Sequence, residues 1–140
     1  MTICVGIKCK DGIVIGSDSM LSHGQLFSSN NKKTYQVTTP IGEILVAIAD
    51  SDGLGKRFIN FLNNQDNHKK IFYNNDVLKK DAFNIVDTVS ILFVNEFINS
   101  LPPFLHNQYI EAIYQHKRFS NQQKNPIPLD IIMSFGIGDE

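Results

Sequence analysis

Thr2-Ile3-Cys4-Val5-Gly6-Ile7-Lys8-Cys9-Lys10-Asp11-Gly12-Ile13-Val14-Ile15-Gly16-Ser17-Asp18-Ser19 alternates apolar and polar side chains, breaks once at a charged Gly-containing triplet, and resumes. Period-two alternation bounded by turn residues reads as strands, here residues 3–9 and 13–19. A three-residue loop at Lys10-Asp11-Gly12, with Gly12 in the left-handed position, joins them. That register sets Cys9 opposite Ile13, Ile7 opposite Ile15 and Cys4 opposite Asp18. Ile3, Val5, Ile7, Ile13 and Ile15 then share one face, with Thr2, Cys4, Gly6, Gly16 and Asp18 on the other. A two-residue loop would slide every pair by one and carry Asp18 to the face away from Thr2. The coherence of the apolar stripe favours the first register.

Residues 20–31 are polar and loop-like. A second hairpin follows, with a strand over Lys33–Thr38, a turn at Thr39-Pro40-Ile41-Gly42 and an apolar partner over Glu43–Ala49. Ser51–Asn64 reads as a helix capped by Asp50 or Ser51, with Leu54, Phe58, Ile59 and Leu62 on one side. Gly53 and Gly55 fall in its first turns. From Asp81 to Leu101, Ala82, Ile85, Val86, Val89, Leu92, Phe93 and Phe97 recur at helical spacing, and Pro102-Pro103 stops the run. Tyr109–Tyr114 suits a short helix, residues 120–128 a polar loop, and Leu129–Ile137 a last strand. Two hairpins, two helices and a strand predict an α+β fold, an antiparallel sheet with helices segregated to one face.

The 140 residues are 42% hydrophobic and include ten phenylalanines, enough for the core of one globular domain. A net charge of -1 gives no electrostatic reason to expect nucleic acid or an anionic membrane as partner. No run approaches the ~20 apolar residues of a membrane span. The N-terminus lacks the continuous apolar region of a secretory signal, so the cytoplasm is the expected compartment. Cys4 and Cys9 lie on one extended segment, cannot bridge within it, and read as structural thiols. His23, His68, His106 and His116 are scattered without metal-ligand spacing. Asp50, Asp52, Gly53 and Gly55 fit neither a phosphate loop nor a calcium loop, and a helix cap explains them better. No metal or cofactor is expected.

Taken together, Thr2 at the head of the first strand, the Lys10-Asp11-Gly12 turn, Gly16-Ser17-Asp18-Ser19 and, after a loop, Lys32-Lys33-Thr34-Tyr35 resemble the opening of proteasome β subunits and their bacterial relatives. The order of hairpin, helices and a strand ending in Gly136-Ile137-Gly138-Asp139-Glu140 is similar as well, although from residue 54 onward the likeness is architectural. The resemblance implies residues 1–140 as a single domain of the N-terminal-nucleophile hydrolase class. That class is a four-layer αββα sandwich, which the resemblance implies is incomplete here, truncated at the C-terminus.

The implied chemistry is threonine-type peptide hydrolysis. With Met1 removed, the Thr2 hydroxyl would be the nucleophile and its own α-amine, ordinarily near pKa ~8, the base. The resemblance assigns Lys33, with Lys32 as fallback, to depress the Thr2 pKa values, and Asp18 to hold that lysine. The Ala47 backbone N–H would donate to the oxyanion, although the family has a glycine where this chain runs Ala47-Ile48-Ala49. By analogy, Met20, Leu21 and residues 47–49 would line specificity pockets, and Ser19 is a local hydrogen-bonding residue. The implied partners are peptide or unfolded protein as substrate, further copies in a homo-oligomeric ring, and a regulatory ATPase. The competing expectations are a non-catalytic subunit that assembles without cleaving, and a small-amide amidase of the same superfamily.

Overall fold

The computed structural model describes residues 3–19, 21–23, 26–28, 31–50, 52–118 and 129–135. Strands β1 (Cys4–Cys9) and β2 (Gly12–Ser17) form the first hairpin, with Cys9 opposite Gly12, Ile7 opposite Val14 and Cys4 opposite Ser17. Its loop is therefore the two residues Lys10 and Asp11, and the expected three-residue register is corrected by one position. The reason lies in β2. Ile13, Val14 and Ile15 are consecutive apolar residues, so the strand offers an apolar face in either register and cannot choose between them. Ile3, Val5, Ile7 and Val14 point outward and are exposed, while Cys4, Ile13, Ile15 and Ser17 are half-buried on the inner face.

The segment expected as loop contains a short hairpin, β3 (Leu21–His23) with β4 (Leu26–Ser28). The hairpin of β5 (Thr34–Thr39) and β6 (Gly42–Asp50) matches expectation closely. Pro40 and Ile41 form its turn, and Gly42 takes φ 110°, a conformation that favours glycine. On the other side β6 pairs antiparallel with β9 (Leu129–Ser134), giving the order β5-β6-β9.

Alternation along these strands divides the sheet. Tyr35, Val37, Ile44, Val46, Ile48, Ile131 and Met133 belong to the core packed by helices. Residues of the opposite parity, among them Ala47 and Ile132, share the face toward the first hairpin. There the layers meet at small residues: a Cβ on Gly6 would lie 3.4 Å from Ile132 Cγ2.

Helix α1 (Asp52–Asn63) covers the other face with Phe58, Ile59, Phe61 and Leu62 buried. It begins at the expected place, although Ser51 lies outside the described residues. Residues 65–80, without a clear pattern in the sequence, form helix α2 (Gln65–Phe72) and a small hairpin, β7 (Tyr73–Asn74) with β8 (Val77–Leu78). Asn64 caps α2, its side chain accepting from Asp66 N–H at 3.0 Å. Asn75 and Asp76, at φ 50° and 64°, supply the paired left-handed residues of a tight hairpin turn.

Helix α3 (Ala82–Asn99) is the long helix foreseen, with Asp81 Oδ1 accepting from Phe83 N–H at 3.0 Å. Its inner face places Phe93 edge-on to Phe58 and Phe61, with centroids at 5.1 and 5.5 Å. Pro103 opens helix α4 (Pro103–Arg118) rather than merely ending α3, a position where proline costs no hydrogen bond. The short helix expected at Tyr109–Tyr114 is the interior of this longer one. Helices, three-stranded sheet and hairpin thus stack as layers of an α+β fold built on antiparallel strands.

Candidate active site

Two strand ends and one buried cation meet where β1 begins. Asp18, one residue past β2, continues the hairpin ladder: its N–H donates to Ile3 O at 3.1 Å, and its Oδ1 accepts from Ile3 N–H at 2.9 Å. Lys33, one residue before β5, reaches across with Nζ 3.3 Å from Asp18 Oδ1 and 3.2 Å from Oδ2. The Lys33 side chain is 5% exposed and that of Asp18 31%. Lys33 is anchored at its backbone too, since its carbonyl accepts from Ile48 N–H at 2.9 Å.

This pair joins two residues called from the sequence, by a route the sequence argument did not foresee. In the observed register Asp18 stands opposite Ile3, not Cys4. It meets Lys33 because it lies beyond the last paired residue of β2, where its carboxylate can turn toward the neighbouring layer. Lys32, the alternative, is exposed, its ammonium 4.9 Å from the Tyr35 ring centroid. Thr2 itself, together with Met20, lies outside the described residues. Chain connectivity places Thr2 directly before Ile3, whose N–H is bound by the same carboxylate that holds Lys33.

The oxyanion assignment fares differently. Ala47 is fully buried mid-strand, opposite Thr34 on one side and Ile132 on the other. Successive N–H groups of a central antiparallel strand face alternate neighbours. Leu45 N–H donates toward β9, to Ser134 Oγ at 3.1 Å, and Ile48 N–H toward Lys33. Two residues beyond Leu45, the Ala47 N–H is directed into the β6–β9 ladder, away from the Asp18–Lys33 pair.

Cys4 was read as structural and proves to border the site. Its Sγ lies 3.5 Å from Ile48 O. Burial first, then the Asp18 carboxylate, push its thiol above the usual range, with Lys33 pulling the other way. A raised thiol is a weaker nucleophile at neutral pH. The only signal for this placement is the hairpin parity, which puts Cys4 on the same face as Thr2 in either register.

Ser19 closes the loop after β2 through its carbonyl, which accepts from Asn31 N–H at 2.9 Å. His68 and His106 each bond a carbonyl at a helix end, Leu62 O at 2.7 Å and Leu101 O at 2.8 Å. Asp52 pairs with Lys56 along α1 at 2.8 Å. Among the described residues no three His, Cys, Asp or Glu side chains gather as metal ligands.

Residues 2–94 match the family profile described as proteasome subunit, two-thirds of the chain. The chain belongs to the proteasome subunit family. No curated protein and no solved structure matched it. The matched region spans β1 to β8, α1, α2 and most of α3, and includes Thr2, Asp18 and Lys33. No helix among the described residues is long and apolar enough to cross a membrane.

Proposed function

We propose that this proteasome-family subunit is a threonine-type peptidase of the cytoplasm, acting on peptides or unfolded protein without metal or cofactor. The observation that carries the reading is the buried Lys33 ammonium, held by an Asp18 carboxylate that also binds the N–H of the residue following Thr2. After removal of Met1, the Thr2 α-amine takes the hydroxyl proton as the oxygen attacks a peptide carbonyl. The amine leaving group departs with that proton, and water then cleaves the Thr2 ester, regenerating hydroxyl and amine. In this reading the Lys33 ammonium supplies the positive charge that favours the developing anion. Family membership also supports assembly into a ring of such subunits, with a regulatory ATPase as the partner that would feed substrate.

A second reading, a non-catalytic subunit that assembles without cleaving, draws on a different observation. The Ala47 N–H is directed into the β6–β9 ladder and the Ile48 N–H is taken by the Lys33 carbonyl, so neither is left over as an oxyanion donor.

Intact-mass spectrometry with a hydroxyl-reactive β-lactone separates the two. Loss of Met1 and a single adduct, absent in Thr2→Ala, is the expected result for the peptidase. Retained Met1 with no adduct rejects it and leaves the assembling subunit. A small-amide substrate panel on adduct-forming protein then divides peptidase from amidase.

A further inference from the structure

Ile48 is held by its backbone and its side chain alike. Its N–H donates to the Lys33 carbonyl at 2.9 Å, and its own carbonyl accepts from the Cys4 thiol at 3.5 Å. Its side chain is buried in the core and lies under helix α1 at Gly55. A Cβ on Gly55 would fall 2.5 Å from Ile48 Cγ2, 3.1 Å from Cδ1 and 3.5 Å from Cβ, so the helix backbone rests directly on this side chain.

These contacts close a circuit. Ile48 anchors the Lys33 backbone, the Lys33 ammonium lies 3.3 and 3.2 Å from the Asp18 oxygens, and Asp18 Oδ1 accepts from Ile3 N–H at 2.9 Å. Ile3 is followed by Cys4, whose thiol returns to Ile48. Burial and the Asp18 carboxylate push that thiol up, which keeps it protonated and able to donate at neutral pH.

We propose that Ile48 is a positioning residue for the Asp18–Lys33 pair, with helix α1 setting its place through Gly55. The catalytic consequence rests on the peptidase reading above. Ile48 is β-branched, with little χ1 freedom, and its strand is paired on both sides, with Ile131 of β9 opposite Ile48 itself. A close-packed interior of this kind passes a displacement on instead of absorbing it. A shift of Ile48 under α1 thus reaches the Lys33 carbonyl, then the ammonium and, through the carboxylate, the N–H that follows Thr2. Gly53 has nothing within 4 Å of its would-be Cβ, so the coupling runs through position 55 and not through the helix at large.

The rate of β-lactone adduct formation by the full chain, followed by intact mass, tests this together with its backbone amide resonances. Gly55→Ala slows the adduct at least about tenfold, as a small misplacement caused far from the chemistry can. The acid limb of its pH–rate profile moves to higher pH, since a lysine drawn away no longer depresses the Thr2 amine. Adding Ile48→Ala to Gly55→Ala clears Cγ2 and Cδ1, leaves an ordinary 3.5 Å contact, and restores both rate and profile although a core side chain is lost. A merely structural role would leave the double variant slower still. Gly53→Ala is the control and reacts as the wild-type chain does. In the spectra, Gly55→Ala displaces the Ile3 amide resonance, several contacts away, and the double variant returns it.

If the wild-type chain forms no adduct, the peptidase reading fails and the Ile3 resonance decides alone: displaced by Gly55→Ala and returned by the double variant, it upholds Ile48 as the residue that positions the pair. An Ile3 resonance unmoved by Gly55→Ala overturns the proposal. So does a reactive wild-type chain whose rate Gly55→Ala leaves untouched, or a double variant as slow as Gly55→Ala. Where Gly55→Ala does not fold, Cys4→Ala probes the circuit from its other end. It moves the Lys33 amide resonance and Cys4→Ser restores it, whereas an unmoved resonance overturns the proposal.

Discussion

Lys33 is nine-tenths buried and would be costly without a counter-charge, so Asp18 has a structural duty as well as a proposed catalytic one. The two duties separate by mutation. Asp18→Ala removes the carboxylate holding the ammonium and the acceptor for Ile3 N–H, and is expected to cost about 2 kcal/mol, below the full buried-pair penalty because Asp18 is partly solvated. Lys33→Met removes the charge and keeps the stem, leaving Asp18 bonded to Ile3 and partly in water. Its unfolding free energy should stay within about 1 kcal/mol of wild type, while β-lactone adduct formation is lost. Urea titration and intact mass on the same two variants read both effects. Equal destabilisation by both would show the pair to be mutual scaffolding. Cys4 offers a pH-dependent check on the same environment. Its raised pKa means less thiolate than an exposed cysteine holds at a given pH. Maleimide at pH 7.5 should therefore label Cys9 well before Cys4, the gap narrowing as pH rises past the ordinary thiol range. Peptide mapping of timed samples would reveal the order.

Helix α1 approaches the sheet closely at Gly55, and that contact explains a glycine the sequence alone could not. A Cβ at Gly55 would fall 2.5 Å from Ile48 Cγ2, so α1 or the Ile48 side chain would have to shift. Gly53, two residues earlier in the same helix, has nothing within 4 Å of its would-be Cβ. Gly55→Ala should lower stability by about 1–3 kcal/mol through overpacking, whereas Gly53→Ala should raise it by about 0.5 kcal/mol through helix propensity. Thermal melts of the two variants, moving in opposite directions, would confirm that packing distinguishes them. Both glycines read alike in the sequence because a helical wheel marks the inward face, not the distance to what lies beyond it. The long periodic elements were legible for the opposite reason: β6 and α3 carry enough apolar side chains on one face to fix their type and extent. Residues 65–80 were not, since α2 and the β7–β8 hairpin are short and draw their order from the Asn64 cap and the left-handed Asn75 and Asp76. At the site, Asp18 and Lys33 were legible as residues, but their meeting depends on a strand end turning between layers, which no pairing pattern encodes.

The stacking of layers places its firmest demand on the first hairpin, where one residue of register decides which side chains face the three-stranded sheet. In the observed register Ile15 is opposite Gly6 on the inner face, while Ile7 and Val14 are opposite each other on the outer one. The alternative register would bring Ile7 and Ile15 together on one face. The two arrangements therefore assign opposite costs to the same substitutions. Ile7→Lys combined with Val14→Glu puts an ion pair on an already solvated surface. It should change unfolding free energy by less than about 0.5 kcal/mol and reduce binding of an apolar dye, because exposed hydrophobic area shrinks. Ile15→Glu inserts a carboxylate between the hairpin and the sheet and should cost several kcal/mol, about 3 or more, for want of a partner there. If the hairpin instead closed through a three-residue loop, Ile7 and Ile15 would respond alike and Val14 would stand apart. Denaturant curves on the double variant and on Ile15→Glu thus test the layer order of the whole molecule. They test the Asp18 placement with it, because only the two-residue loop brings Asp18 opposite Ile3, where its carboxylate holds the N–H that follows Thr2.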